Sequence, residues 1–332
     1  MMRIHYLALS SILFISTPFA FSQTAPAVRD PGAIKMCAAV DQVEIPTADH
    51  PTAAEEKALA GCSSVDAYFG LGEKEDPVKA RKCSFAEMDR GEKAALSGKA
   101  LLSMVYANGK GVPRNYDVAL KISCSINDTP GDAAGRIYEL VRLKKAATPA
   151  VYSICDHSSG RELYEQCAIL SSRFDKIERD EKMEKFIASW SEKDKKAFHV
   201  FWDEVEKFAK VQAGNAMSLE GTFEIQEEDF IITQQMENLE HFEKGELPKH
   251  SAEEAQSAQA AEAAAYEKTQ NSSVAQWGVA THESVKKSED EWRRYRSAWI
   301  SFGKQKYPGV TEQSWNAWLD QDRADMLNKL MH

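Results

Sequence analysis

The stretch YANGKGVPRNYDVAL, residues 106–120, interrupts a chain whose apolar side chains otherwise recur at helical spacing. Residues 98–107 follow that spacing before the interruption, and the pattern resumes at Tyr116. Gly109 and Gly111 can adopt a positive φ at no steric cost, as a tight turn between helices requires. The stretch therefore predicts two helices joined by a turn and favours an all-α fold.

The other residues of this turn each have a predicted role. Pro113 prevents the first helix from continuing, and Asn115 is a good N-cap for the second. Val112 is expected to tuck between the two helices. The small side chain of Ala119 lets the helices approach closely. Together these residues predict that the two helices pack against each other as a hairpin.

A degenerate copy of the same pattern lies upstream, in CSSVDAYFGLGEKEDPVKARKCSFA, residues 62–86. Its segment 68–70 corresponds to 106–109, and its segment 76–80 corresponds to 115–119. Two similar helix–turn–helix units predict a short α-solenoid. Two units are fewer than a solenoid needs to be stable alone, so flanking helices are expected to complete the core.

The segment 98–124 resembles a Sel1-like repeat, a relative of the tetratricopeptide repeat. Five spaced residues carry the resemblance: Tyr106, Gly109, Gly111, Val112 and Ala119. The upstream copy, 62–88, resembles the family only in part, because it lacks the Gly-Val step. The resemblance implies an α-solenoid that serves as a scaffold for protein–protein interaction. An ordinary helical hairpin with a glycine-rich turn is the alternative.

The N-terminal residues have the pattern of a secretory signal peptide, predicted to span 1–22. Arg3 supplies a positive start, residues 6–15 form a short apolar run, and Ala20 and Ser22 are small residues of the kind that precede a cleavage site. A buried N-terminal helix is the alternative. Export by a Gram-negative bacterium would place the chain in the periplasm. No other segment is long and apolar enough to predict a membrane span.

The net charge excludes one class of partner. The 332 residues carry a formal net charge of −10, and loss of the signal peptide removes one arginine and no acid, which leaves −11. Phosphate binding requires clustered lysines and arginines, so nucleic acid is not an expected partner. The expected partner is a protein.

Six cysteines in an exported chain predict disulfides rather than a metal site, since the sequence has no CxxC and no histidine at zinc-finger spacing. Antiparallel packing of the upstream hairpin brings Cys62 level with Cys83, so this pair is preferred. Six cysteines allow 15 connectivities, and only this pair has support of its own. The other two predicted pairs are Cys155 with Cys167, across a serine-capped turn, and Cys37 with Cys124, by exclusion.

From about residue 160 the chain shifts to long charged helical patterns. Residues 219–231 contain a glycine and β-branched residues, and they are expected to form a short extended loop. The alanine- and glutamate-rich segment that starts at 251 is expected to begin one long helix that continues to about Gly303. The YPG sequence at 307–309 ends that helix. Thr311 then caps a last helix over 312–330.

The stretch DEWRRYRSAWISF, residues 290–302, carries aromatic side chains along one helical face. Its W-x-x-Y-R-x-A spacing resembles the LprI-type lysozyme inhibitor domain, over roughly 250–332. That resemblance implies a helical domain that binds lysozyme. One departure from the family is Glu289, which stands where glutamine is usual. The residues that carry the resemblance are Tyr266, Trp292, Tyr295, Arg296, Trp299 and Arg323.

The same aromatic stripe has an ordinary structural interpretation. Aromatic side chains at helical spacing usually form the core of a bundle. Arg296 is then expected to be partly buried and to pair with an acidic residue across the bundle, because a buried unpaired charge is costly. The predicted divisions of the chain are a signal peptide (1–22), an N-terminal extension (23–60), a Sel1-like region (61–155), a helical linker or bundle region (156–249) and an LprI-like domain (250–332).

No pattern predicts a catalytic residue, a cofactor or a metal site, since the sequence has no glycine-rich phosphate loop, HExxH or GxSxG. His157 lies near Cys155, but a disulfide would remove that thiol as a nucleophile. We therefore predict an exported, non-enzymatic binding protein, with lysozyme as the partner that the resemblance implies. A Sel1-type scaffold for another envelope protein is the first alternative. A penicillin-binding cell-wall hydrolase is the second.

Overall fold

The computed structural model describes residues 28–91, 94–148, 150–216, 222–272 and 280–331. Within these ranges the chain forms 13 α-helices and no strand, which confirms the predicted all-α class. None of the described helices combines the length and the apolar character that crossing a membrane requires. The predicted signal peptide, 1–22, lies outside the described residues.

The helices differ in length between the two halves of the chain, and those of the second half are longer. Three short turns connect some of these α-helices. Two are 3₁₀-helical, at Thr47–Asp49 and Ile154–His157, and one is π-helical, at Gln212–Ala216. In chain order the helices are α1 Pro31–Ala39, α2 Ala53–Ala58, α3 Ser64–Phe69, α4 Pro77–Asp89, α5 Lys99–Asn108, α6 Tyr116–Cys124, α7 Pro130–Lys145, α8 Arg161–Ile187, α9 Glu192–Val211, α10 Thr222–Glu243, α11 Ala252–Asn271, α12 His282–Lys306 and α13 Glu312–Lys329.

Two helical hairpins, α3–α4 and α5–α6, repeat the same backbone pattern 39 residues apart. Gly70 ends α3 and Gly109 ends α5, both in the left-handed conformation with φ of 72° and 66°. Asp76 caps α4 and Asn115 caps α6, each accepting a hydrogen bond from a backbone N–H three residues on. The internal repeat predicted from the sequence is therefore present in the structure.

The backbone hydrogen bonds correct one detail of the predicted match between the hairpins. The N–H of Asn115 donates to the carbonyl oxygen of Tyr106 at 2.9 Å. In the upstream hairpin the N–H of Asp76 donates to Ala67 at 2.8 Å. Ala67, and not Tyr68, thus takes the place of Tyr106, so the aromatic residue of the upstream copy is shifted by one position.

The upstream copy also contains more of the turn than the sequence predicts. Gly72 lies 39 residues before Gly111, and both have a positive φ, of 78° and 83°. Only the valine of the Gly-Val step is missing, because Glu73 occupies the place of Val112. The glycine escapes notice in the sequence because the alignment on Tyr68 shifts the two copies out of register.

Three disulfides connect helices of the first half, with the pairing that the sequence predicts. Cys62–Cys83 closes the α3–α4 hairpin, with Cα atoms 6.0 Å apart. The pair assigned by exclusion, Cys37–Cys124, connects α1 to α6 across 87 residues. The third, Cys155–Cys167, connects the second 3₁₀ turn to α8. Within the described ranges no cysteine is free.

Two main hydrophobic cores fill the molecule. The first contains residues between Val28 and Leu170, and the second contains residues between Met183 and Leu319. Helix α8, with 27 residues and a length of about 40 Å, contributes to both cores. The N-terminal part of this helix packs on the repeat region and its C-terminal part packs on the bundle, so α8 connects the two regions.

Two predicted elements of the second half are wrong. Of the extended loop predicted at 219–231, residues 222–231 instead form the first turns of α10, and 219–221 lie outside the described residues. The long helix expected from 251 to about Gly303 is two helices, α11 and α12, which end and begin at Asn271 and His282. Thr281 caps α12 through its side chain. The predicted stop at 307–309 and the Thr311 cap of α13 are confirmed.

The segments on either side of the predicted division at 249/250 share one core. Phe201 of α9 stacks on Phe302 of α12, with ring centroids 5.0 Å apart. Phe242 of α10 packs edge-on against Trp299 and Trp315. Helices α9, α10, α12 and α13 therefore form one bundle, and experiments on the C-terminal segment require the full chain.

Candidate functional site

The residues of the predicted repeat turn are brought together, and they have structural roles. Val112 is 8% exposed and Ala119 is fully buried. A Cβ atom added to Gly111 would lie 2.5 Å from the carbonyl oxygen of Pro77, at the start of α4. The turn of the second hairpin thus packs directly on the first hairpin, and only glycine fits at this contact.

Tyr106 ties the same turn to the N-terminal extension. Its hydroxyl donates to Asp49 Oδ2 at 2.8 Å, and burial together with this hydrogen bond raises its pKa. Arg81 lies 3.1 Å from the other carboxylate oxygen of Asp49 and donates to the carbonyl oxygen of Gly111 at 2.7 Å. The tyrosine of the motif is therefore part of a buried structural contact.

The aromatic residues of the C-terminal motif form the centre of the bundle. Trp292, Tyr295 and Trp299 are 4%, 1% and 0% exposed. The Tyr295 hydroxyl donates to Gln235 Oε1 at 2.8 Å, and the Trp299 indole N–H lies 3.2 Å from the same oxygen. Burial raises the pKa of Tyr295 well above its usual range. The structural interpretation of the stripe is confirmed.

Arg323, the most deeply buried charge of the motif, is 0% exposed and lies in a polar network. Its Nε donates to Glu289 Oε2 at 3.1 Å, and its Nη1 donates to Gln212 Oε1 at 2.9 Å. Ser288 donates its hydroxyl to the same oxygen of Gln212. Glu289, which departs from the family pattern, thus supplies the negative charge that a buried arginine needs.

Arg296 pairs across the bundle as the sequence predicts. Its guanidinium donates two hydrogen bonds to the carboxylate of Asp320, at 2.6 and 3.0 Å. The Trp292 ring lies between two guanidinium groups, with Arg296 at 5.7 Å and Arg323 at 5.8 Å from its centroid. Tyr266 of α11 lies apart from this group, half-buried beside a smaller cluster that includes Leu327.

The cations Arg293 and Arg294 of α12 and the turn 307–309 that follows this helix differ in exposure. Arg293 and Arg294 are 63% and 67% exposed at their side chains, and each pairs with a glutamate of its own helix. Tyr307 is buried, and its hydroxyl donates to Glu243 at 2.9 Å. The side chain of Tyr307 is therefore part of the bundle core, and only Pro308 and Gly309 of that turn are exposed.

A cavity of about 180 Å³ lies between α10 and α13, beside the π-helical turn. Its inner wall contains Gln212, Ile231 and Gln235, which are all buried. Phe230, 56% exposed, lies at its rim. The sequence does not predict this site, because the first part of α10 has the pattern of a loop. The remaining lining residues are Glu227, Gln234, Asn238, Trp318, Asp322, Asp325, Met326, Lys329 and Leu330.

Two carboxyl groups of this cavity have raised pKa values. Burial and the neighbouring Asp325 raise the pKa of Asp322 to about 6, from an ordinary value of 3.8. Burial also raises the pKa of Glu227. Within the described ranges Asp322 makes no hydrogen bond and no ion pair. It is a half-buried acid with free hydrogen-bonding capacity, which marks the cavity as a candidate binding site.

Other kinds of site have no support in the described parts of the chain. Nowhere in them do three or more histidine, cysteine, aspartate or glutamate side chains form a group that could hold a metal ion. Cys155 is in a disulfide, so its thiol cannot act as a nucleophile beside His157. The cavity between α10 and α13 is therefore the candidate small-molecule site of the described residues.

The chain matches no protein-family model, no curated protein and no solved structure. Location can still be stated in part from the structure. Three disulfides indicate an oxidising compartment outside the cytoplasm.

Proposed function

We propose that this is an exported protein of the periplasm of a Gram-negative bacterium, with a cleaved signal peptide, that binds another protein and has no enzymatic activity. The partner that the C-terminal resemblance implies is lysozyme. One observation supports the proposal: the exposed cations Arg293 and Arg294 lie on α12, the helix whose buried aromatic residues anchor it in the core of the bundle. A rigid helix of this kind holds the two cations at a fixed place on the surface.

Charge supports the proposed partner class. The chain without residues 1–22 carries −11, and C-type lysozymes are strongly basic. Opposite charges raise the rate of encounter more than they determine affinity. An inhibitor must also cover the two carboxylates of the glycosidase cleft. The exposed guanidinium groups of Arg293 and Arg294 are the cationic groups that the proposal assigns to this contact.

The test is a turnover assay of a C-type lysozyme with the full chain that begins at Gln23. We expect inhibition at low salt that weakens steeply as salt is added. The double variant Arg293→Gln/Arg294→Gln should lose most of the inhibition. The matched control is Lys286→Gln/Lys287→Gln, which removes two exposed cations of the same helix and should keep it. No inhibition at low salt would reject lysozyme as the partner.

The second candidate is a Sel1-type scaffold for another envelope protein, which the repeated hairpins α3–α4 and α5–α6 favour. In that case the binding surface lies on the first half and lysozyme is unaffected. Covalent labelling by a β-lactam would instead favour the hydrolase alternative. If the chain neither inhibits lysozyme nor is labelled by the β-lactam, the scaffold is the better proposal.

A further inference from the structure

The cavity between α10 and α13 has two buried amide groups whose orientation is determined by their neighbours. An indole N–H and a guanidinium can only donate hydrogen bonds. The indole N–H of Trp299 donates to the Tyr295 hydroxyl at 2.9 Å, and that hydroxyl donates its own proton to Gln235 at 2.8 Å, so the Gln235 atom at this contact is its oxygen. The atom of Gln212 that accepts from Arg323 is likewise its oxygen. Both amide nitrogens consequently point away from these inward donors.

These two amide nitrogens have no partner in the parts of the chain that the structure describes. Gln212 and Gln235 are each 2% exposed, and both line the cavity. Since buried polar groups are almost always hydrogen-bonded, the inner wall presents N–H donors that require an acceptor inside the cavity.

The sides and the rim of the cavity supply the opposite kind of group. Asp322 and Glu227 are half-buried carboxyl groups, and Asp325 is exposed beside them. An ionised carboxylate only accepts hydrogen bonds. The ligand must therefore accept hydrogen bonds at one end and donate them at the other.

The size of the cavity and its apolar surface further restrict the kinds of ligand that fit. The volume of about 180 Å³ is below the roughly 300–1,000 Å³ of pockets for drug-sized ligands, so the ligand is a single small ring or less. Trp318 and Met326 supply half-buried apolar surface on the α13 side, and Ile231 supplies it on the α10 side. A ligand with one apolar face and several polar groups fits these walls.

The geometry points to a binding site for one neutral sugar ring or a comparable cyclic polyol. A hydroxyl group both donates and accepts, so one kind of group satisfies the amide donors of the inner wall and the carboxylates of the rim. The C–H face of the ring would pack on Trp318. This inference is independent of lysozyme binding, because it concerns a different surface of the bundle from Arg293 and Arg294.

Charged ligands fit the cavity less well. Three carboxyl groups against the single ammonium group of Lys329 disfavour an anion. The N–H groups of Gln212 and Gln235 are hydrogen-bond donors, and an ammonium or guanidinium group has no atom that can accept from them. A cation would leave these donors unpaired, which is costly for buried polar groups.

The test is a titration of the full chain with D-glucose, N-acetyl-D-glucosamine and myo-inositol, followed by saturation-transfer NMR and by indole fluorescence. We expect saturable binding of at least one of them. The variant Asp322→Asn should weaken that binding about ten- to a hundredfold, the usual effect of losing a hydrogen bond to a charged group. Met326→Trp, which fills the cavity, should abolish it.

The matched control is Asp203→Asn, the same chemical change at an exposed position of α9, which should leave the affinity unchanged. Melting curves of all variants establish that they are folded. Putrescine, glycine and acetate serve as the cationic, zwitterionic and anionic probes. Binding of one of these in place of the polyols would overturn the proposal, as would equal polyol affinity in Asp322→Asn and the wild type. Absence of any polyol binding would overturn it too.

Discussion

The two halves of this molecule are held together by different means. In the repeat region, three disulfides, left-handed glycines and small residues such as Ala119 allow short helices to pack closely. In the bundle, longer helices pack through stacked aromatic rings and a buried ion pair between Arg323 and Glu289. Short helices bury too little surface to be stable alone, whereas long amphipathic helices do not need covalent links. The difference predicts that the two halves respond to different perturbations.

Loss of a disulfide is expected to have the largest effect, and only on the repeat region. The double variant Cys37→Ser/Cys124→Ser opens the longest loop and should cost about 2–4 kcal/mol of stability. All seven tryptophans lie after residue 189, so indole fluorescence reports on the second half of the chain and not on the repeat region. The part of the far-UV circular dichroism signal that comes from the repeat region should be lost at lower temperature, while the fluorescence transition stays in place. Equal shifts of both would show that the halves unfold as one unit.

Breaking the buried ion pair is expected to affect the bundle by a similar or slightly smaller amount. Arg323→Met leaves the buried Glu289 with only the exposed Arg293 as a cationic partner, at 3.3 Å, which should cost about 3 kcal/mol. The double variant Arg323→Met/Glu289→Gln removes both charges and should recover part of that loss. Urea denaturation followed by indole fluorescence measures the free energy of unfolding of the single and the double variant. A double variant no more stable than the single one would contradict the account of Glu289 as the required counter-charge.

The glycine turn provides a smaller and sharper comparison within the repeat. Gly111→Val should cost about 2 kcal/mol, because it combines a positive φ with a contact to the Pro77 carbonyl. Gly72→Val also has a positive φ but open space around its Cβ, so about 1 kcal/mol is expected. Thermal denaturation followed by circular dichroism distinguishes them. Equal losses would mean that the contact between the hairpins contributes nothing.

The smallest effect concerns Asp322 and depends on pH. Its folded-state pKa of about 6 lies above the ordinary 3.8, so the folded protein binds this proton more tightly than the unfolded chain does. The resulting contribution is present at low pH and is lost as pH rises through about 6. Asp322→Asn should therefore stabilise the protein by about 1–2 kcal/mol at pH 8 and hardly at all at pH 4. Stabilisation that is equal at both pH values would contradict the raised pKa.

The repeat region was the more predictable half from sequence. Its fold depends on residues with strong local preferences, such as Gly109 and Asn115, whose conformations follow from their own chemistry. The disulfide between Cys62 and Cys83 followed from the hairpin register. In the bundle, the end of α12 at Lys306 and the start of α13 after Thr311 were predictable for the same reason.

The errors fall where tertiary packing overrides local preference. A glycine and β-branched residues predicted a loop at 219–231, but burial of Ile231 and Ile232 stabilises residues 222–231 as part of α10. The cavity depends on the side-by-side placement of α10 and α13, which no local pattern encodes.

The claim that the halves are stabilised independently has a direct test in hydrogen exchange, followed by mass spectrometry with and without reductant. We predict that reduction speeds exchange in α1–α7, where two of the three disulfides lie within the helices and their connections. Helices α9–α13, which follow the last cysteine, should keep their protection. A parallel loss of protection in α9–α13 would contradict the account, because it would mean that the aromatic bundle depends on the disulfides of the other half.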